Sequence, residues 1–140
     1  MHTTPVPMAV RGLAALAATL LLAACAGTAA RPEDVNTRAQ ARWDALTRGD
    51  FATAYQYLAP GYRSSVSSVQ YQRELLTHKV RWTGARVIDS DCSDKTCKVS
   101  ISLNFEVIKP VPGLNKYDGT QKISEDWILA DGQWWYMPPD

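Results

Sequence analysis

The strongest constraint on the fold is a change in hydrophobic period near Thr77. Before this residue, apolar side chains recur every three or four positions, which is typical of α-helices, and after it they recur every second position, which is typical of β-strands. The clearest strand runs from Cys97 to Lys109. Its inward side chains are predicted to be Val99, Ile101, Leu103, Phe105 and Val107. Polar side chains alternate with them, so one face is buried and the other solvated, as in an antiparallel sheet.

Three segments carry the helical period: residues 32–49, 51–60 and 67–76. Pro32, followed by Glu33 and Asp34, suits a helix start, because proline fits the first turn and acids complement the helix dipole. Ser67 and Gln70 have the spacing of a capping box. The Pro60-Gly61 pair is expected to end the second helix. These features predict three helices ahead of the sheet.

Four strands are predicted at residues 80–90, 97–109, 120–129 and 133–137. Asp131-Gly132 is a tight-turn signal between the last two. Residues 110–119 contain two prolines and two glycines, and we expect a long loop there, either a lid or a contact arm. Helices followed by strands indicate an α+β domain in two layers. Its expected core comprises Trp43, Phe51, Tyr55, Leu58, Ile101, Leu103, Phe105 and Trp127.

Two segments carry a family resemblance. Trp43 to Pro60, with Gly-Asp-Phe at its centre, resembles the opening helices of the nuclear transport factor two-like superfamily, and Trp127 to Tyr136 is similar to that superfamily's last hairpin. The resemblance implies a cystatin-like cone over residues 33–140, with three N-terminal helices packed on a curved four-stranded antiparallel sheet. The superfamily includes isomerases, dehydratases, polyketide cyclases and non-catalytic modules, so the fold does not decide the function. No catalytic residue is carried over.

The N-terminal region resembles a bacterial lipoprotein signal. Leu22-Ala-Ala-Cys25 resembles a lipobox, in which the cysteine is acylated and becomes the first mature residue. The apolar run from Gly12 to Ala24 is 13 residues long, and it is shorter than the roughly 20 residues of a spanning helix. We expect a signal peptide over 1–24 and a lipidated cysteine with its tether over 25–32. The alternative is an ordinary secretory peptide that is cut elsewhere.

Charge indicates how such a chain stays on a membrane. Arg11 is the only charged residue before Cys25, so the remainder carries 14 basic and 14 acidic side chains. This balance gives no excess of basic residues that would favour binding to nucleic acid or to an anionic membrane surface. A lipid anchor in the cell envelope is therefore expected to supply the membrane contact. Ala26, where an acidic residue would resemble an inner-membrane retention signal, favours the outer membrane, facing the periplasm, in an organism with two membranes.

The two remaining cysteines, Cys92 and Cys97, are predicted to form a disulfide in an exported chain. The alternative is a metal pair, but zinc needs four ligands, and His78, the only histidine after Cys25, lies far away in sequence. Asp89, Asp91 and Asp94 are clustered as in a cation-binding loop. Because they flank a predicted hairpin turn, the favoured interpretation is that they keep this turn solvated. We predict neither a metal nor a cofactor.

Glu125 is the most notable polar residue. On the third strand it shares a face with Ile123 and Trp127, so a concave face would put a carboxylate in an apolar cone. The alternatives are that an irregularity releases Glu125 to solvent or that an arginine such as Arg86 neutralises it.

A pocket between helix two and strand three is predicted, with lining residues Tyr55, Trp82, Glu125 and Trp127. No acid/base pair is evident, so we predict no catalytic residue and expect a non-catalytic, membrane-anchored binding or accessory module. Its expected partner is an envelope protein or a small apolar ligand. The alternative is an enzyme or carrier of the isomerase or cyclase kind that uses the cone.

Overall fold

A computed structural model describes residues 33–139, together with His2. The predictions for the signal peptide at 1–24, for Cys25 and for the tether at 25–32 lie outside the described domain. Within the described residues, no helix combines the length and the apolar character needed to span a membrane.

The helical half contains four helices rather than three. They are α1 (Val35–Thr47), α2 (Phe51–Tyr55), α3 (Pro60–Ser65) and α4 (Ser68–Thr77). Asp34 caps α1 by accepting from the Thr37 backbone N–H at 3.3 Å, and the capping box of Ser67 and Gln70 is confirmed. The predicted role of Pro60 was wrong, because it begins α3 instead of ending α2. Its fixed φ suits a first helical turn, where no N–H is needed.

The strands form one antiparallel sheet in sequential order, β1 (Val80–Ser93), β2 (Thr96–Val111), β3 (Leu114–Ala130) and β4 (Gln133–Met137). The predicted loop at 110–119 was wrong. β2 and β3 stay paired almost to Pro112-Gly113, with Val107 opposite Tyr117. Pro110 is accommodated at a register irregularity, where a missing N–H breaks no ladder bond, and Gly113 takes the turn with φ +87°.

Helix α1 covers the concave face of the sheet. The inward alternation predicted for β2 is confirmed at Val99, Ile101 and Leu103, which are at most 2% exposed, whereas Phe105 and Val107 are only half-buried. Gln40 fixes α1 to β1 by donating to the Ala85 carbonyl at 3.0 Å and accepting from the Val87 N–H at 2.9 Å. Both bonds reach β1 between its two register shifts, where the strand is irregular.

One predicted core residue lies elsewhere. Phe105 is half-buried and packs over Gly119 and beside Tyr117, at 6.2 Å between ring centroids. Phe105 therefore stabilises the extended β2–β3 hairpin, where a loop was predicted. The other expected core residues belong to the main apolar cluster or pack against it.

Cys92 and Cys97 form a disulfide, as predicted. They are direct cross-strand partners beside the turn between β1 and β2, with Cα atoms 4.0 Å apart. Asp94 takes a positive φ of 50° in that turn, a conformation that aspartate tolerates better than most residues. The bridge reinforces a hairpin that is already closed by backbone pairing.

Reducing this disulfide is expected to lower the free energy of unfolding by about 2 kcal/mol and to leave the domain folded, because the closed loop is short. Thiol titration before and after reduction, followed by urea unfolding of both forms, measures this. Two reactive thiols in the unreduced protein would contradict the bridge. Loss of cooperative unfolding after reduction would contradict its minor energetic role.

Candidate functional site

Glu125 lies inside the domain, on the concave side of β3. It is 4% exposed and accepts three hydrogen bonds. Its Oε1 accepts from Arg42 Nη1 at 2.6 Å and from Trp43 Nε1 at 2.9 Å, and its Oε2 accepts from Trp127 Nε1 at 3.1 Å. Both carboxylate oxygens are therefore held by donors from α1 and β3.

Arg42 is the partner that sequence analysis missed. It is 5% exposed, its guanidinium carbon lies 3.9 Å from the centre of the Tyr136 ring, and it forms the ion pair with Glu125. The alternative that an arginine neutralises Glu125 is therefore confirmed, but the arginine given as an example, Arg86, is exposed on β1. A signal was present in the sequence, because Arg42 follows Val35 and Ala39 at helical spacing on the apolar face of α1. An arginine there must be buried with a counter-charge.

The protonation of this cluster follows from burial and pairing. Burial acts to lower the pKa of Arg42, but Glu125, Tyr71 and Tyr136 together outweigh this effect and the pKa is raised. Burial raises the pKa of Tyr136 to about 12, against the opposing effect of Arg42. Burial likewise raises the pKa of Tyr71, again opposed by Arg42. At neutral pH both tyrosines keep their hydroxyl protons, which are available for donation.

The raised pKa of Tyr136 predicts a loss of stability at alkaline pH. The folded pKa lies above the ordinary value of 10, so the folded state holds this proton more tightly than the unfolded state. The resulting stabilisation is complete below pH 10 and is lost as the pH rises from 10 towards 12. Urea unfolding between pH 8 and 11 is expected to show a steeper decline in the wild type than in Tyr136→Phe. Equal slopes for the two proteins would contradict this assignment.

A pocket of about 440 Å³ opens beside the ion pair, between α1, α3, α4 and the sheet. Its volume falls in the usual range of roughly 300–1,000 Å³ for small-molecule sites. Aromatic side chains supply much of its wall. They are Trp43, Tyr62, Tyr71, Trp82 and Tyr136. Leu46, Leu75, Leu103 and Ile123 add aliphatic surface. The cone is therefore hollow on this side.

Two of the four predicted lining residues, Trp82 and Glu125, line this pocket. Tyr55 does not, because its hydroxyl donates to the Val66 carbonyl at 2.7 Å and so ties α2 to the segment before α4. Trp127 is fully buried and stabilises Glu125 from behind. The pocket thus lies farther towards α4 than predicted, because α2 has only five residues and does not reach it.

The other candidates have peripheral positions. His78 ends α4 at the rim of the pocket and meets Trp82 edge-on, at 6.3 Å between ring centroids. Asp89, Asp91 and Asp94 are exposed near the disulfide. Across residues 33–139, no three His, Cys, Asp or Glu side chains are grouped closely enough to hold a metal ion.

The outer face of the sheet carries a different arrangement. Two guanidinium groups stack on the Trp135 ring. The guanidinium carbon lies 5.6 Å from the ring centre in Arg38 and 5.2 Å from it in Arg63. Its indole N–H donates to the Ala130 carbonyl at 3.0 Å. The aromatic surface on this side is therefore partly covered by the chain's own arginines.

Comparison with known proteins extends these observations. No protein-family model and no curated protein sequence matches the chain. Among solved structures, a protein of the nuclear transport factor two-like family from Streptomyces avermitilis matches with a TM-score of 0.50 and 13% identity, covering 75% of this chain and 93% of its own. The domain has the nuclear transport factor two-like fold. The α+β architecture with a four-stranded antiparallel sheet agrees with the prediction.

Two SEC-C motif containing proteins are also similar to this chain in fold. The protein from Rhodopseudomonas palustris matches with a TM-score of 0.56 and 16% identity over 79% of this chain and 77% of its own. The protein from Psychrobacter arcticus matches with a TM-score of 0.57 and 12% identity over 78% of this chain. This chain spans 61% of the length of the Psychrobacter protein. At these identities the likeness concerns the fold alone.

Proposed function

We propose that this protein is a lipid-anchored, non-catalytic binding module of the cell envelope that takes a small, mainly apolar ligand into its cone. The pocket supports a ligand site, since it combines aromatic walls with a few polar groups that could orient a bound molecule. The outer sheet face supports docking less well, because Arg38 and Arg63 already stack on Trp135.

The observation that carries the non-catalytic assignment is the set of bonds at Glu125. A general acid or base must exchange a proton with its substrate within hydrogen-bond reach. Glu125 already accepts from Arg42, Trp43 and Trp127, and protonating it would leave Arg42 buried without a counter-ion. These contacts favour a structural role at the base of a binding site.

The pocket assignment is tested by filling the cavity from α4. Leu75 lines the pocket and is half-buried, whereas Val69 on the same helix is 63% exposed and lies outside it. With 2-ethylnaphthalene as the probe, isothermal titration is expected to show binding that Leu75→Trp abolishes and Val69→Trp preserves. Equal affinities in the two variants would place the probe elsewhere and contradict the proposal.

The membrane assignment rests on the resemblance of residues 22–25 to a lipobox and on the near-neutral charge after Cys25. In a bacterial host, intact-mass analysis of membrane-extracted protein is expected to show acyl mass on Cys25. Cys25→Ser is expected to leave unprocessed precursor or an unlipidated form. A mature terminus elsewhere without acyl mass would contradict this part of the proposal. Fractionation of the two membranes tests the outer-membrane location.

A second candidate is an enzyme or carrier of the isomerase or cyclase kind, and one observation favours it. Glu125 is a buried carboxylate in the lining of an open pocket. Glu125→Gln keeps the side-chain shape but removes the charge. Turnover of a small substrate that is abolished in this variant, while the protein stays folded, would replace the non-catalytic assignment.

A further inference from the structure

The pocket wall contains buried hydrogen-bond donors that the described residues leave unpaired. The Tyr71 hydroxyl and Arg42 Nε make no hydrogen bond of good geometry within residues 33–139, and both atoms are closed to solvent. The two side chains face each other, and Arg42 acts as a donor towards the Tyr71 oxygen, which lowers the pKa of Tyr71 against the larger, raising effect of burial, but the Tyr71 hydroxyl proton has no acceptor among these residues. Both side chains line the pocket and are more than nine-tenths buried, with Tyr71 6% and Arg42 5% exposed. Buried donors are usually paired, so such groups call for a physical explanation.

Glu125 does not satisfy these donors. Its Oε1 is shared by Arg42 Nη1 and Trp43, and its Oε2 accepts from Trp127. Tyr62 and Tyr136 add two further hydroxyl groups to the same lining. The three tyrosines therefore present hydroxyl protons to the pocket, and a bound molecule that supplies an acceptor oxygen would pair with them.

The charges around this wall disfavour an anion. Arg42 is cancelled by Glu125 at 2.6 Å, and Glu74 adds a negative charge at the rim. The pKa of Tyr71 responds to this field: burial raises it, Arg42 opposes the rise, and Glu125 and Glu74 add to it. A carboxylate entering the pocket would approach three acidic side chains of the lining, Glu74, Glu125 and Asp126, while the guanidinium of Arg42 is already paired.

We propose that the ligand is an uncharged apolar or aromatic molecule bearing a carbonyl-type oxygen, which accepts from Tyr71 and Arg42. This inference rests on the proposed binding function and names the ligand class for the same pocket. The aromatic walls pack against the ligand's apolar body, and a small rotation of Tyr71 turns its hydroxyl onto the oxygen. Binding thereby pairs donors that are unpaired in the free domain.

Three naphthalene probes of similar size test the ligand class by isothermal titration with the full-length protein. They are 2-acetylnaphthalene with a carbonyl, 2-ethylnaphthalene without an acceptor and 2-naphthoate with a negative charge. The acetyl probe is expected to bind tightest. Tyr71→Phe is expected to weaken it about 5- to 10-fold, the effect of one hydrogen bond, and to leave the ethyl probe unchanged.

Tyr55→Phe is the matched control, because it also removes a phenolic hydroxyl but one that bonds Val66 outside the pocket. It is expected to lower the free energy of unfolding and leave all probe affinities unchanged, whereas Tyr71→Phe is expected to keep wild-type stability. If Tyr71→Phe leaves the acetyl probe unaffected, or if the naphthoate binds tightest, the ligand class is overturned while pocket binding stands. If no probe binds, both proposals are contradicted.

Discussion

Replacing Arg42 with methionine is expected to lower the free energy of unfolding by about 3–5 kcal/mol, the cost of leaving one member of a buried ion pair without its partner. Glu125 would stay at 4% exposure and would keep only the two indole donors. Urea denaturation followed by circular dichroism measures the change.

Lys98→Met is the matched control. It also breaks a pair between a basic side chain and a carboxylate, Lys98 with Asp126 at 2.8 Å, but both side chains of this pair are exposed. Its expected cost is under about 1 kcal/mol. The double variant Arg42→Met with Glu125→Leu removes both buried charges and is expected to recover much of the lost stability. A loss below 1 kcal/mol for Arg42→Met alone would show that Glu125 does not depend on this pair.

Truncating Ile101 to alanine is expected to cost about 2–5 kcal/mol, the usual range for a buried aliphatic side chain. Ile101 is fully buried on the concave face of β2, and α1 packs above it, so the resulting cavity cannot collapse easily. Chemical denaturation measures the loss. Cooperative unfolding at a lower denaturant midpoint is the expected form of the curve.

Ile108→Ala provides the comparison on the same strand. Ile108 is 54% exposed in the extended hairpin, so the same chemical change there is expected to alter stability by no more than about 0.5 kcal/mol. Equal losses at the two positions would mean that the inward and outward faces of β2 have been assigned incorrectly.

The sequence predicted the features that depend on local pattern. Alternation identified the buried face of β2, and the spacing of Glu125 and Trp127 indicated an inward carboxylate on the condition that their face is the concave one. Arg42 was not predicted because a charged residue does not contribute to the apolar spacing that identifies the buried face of α1. Its pairing with Glu125 joins positions that are 83 residues apart, a distance over which periodicity carries no information.

The errors arose where tertiary contacts override local signals. Proline and glycine content predicted a loop at 110–119, but pairing of Val107 with Tyr117 and of Ile108 with Lys116 continues the hairpin. The pocket was predicted between helix two and strand three because the cone of the resembled superfamily opens there, whereas the pocket seen here lies beside α4. α2 ends at Tyr55, and the concave surface next to it is filled by core residues. The open pocket lies next to α4 instead.

The indole N–H signals of the five tryptophans offer a direct test of where a ligand binds. Trp43 and Trp82 line the pocket, whereas Trp135 lies on the outer face with its N–H bonded to Ala130. In ¹H–¹⁵N correlation spectra, titration with 2-acetylnaphthalene is expected to shift the Trp43 and Trp82 signals and to leave Trp135 in place. Shifts confined to Trp135 would show that the outer sheet face is the binding surface and would contradict a ligand site in the cone.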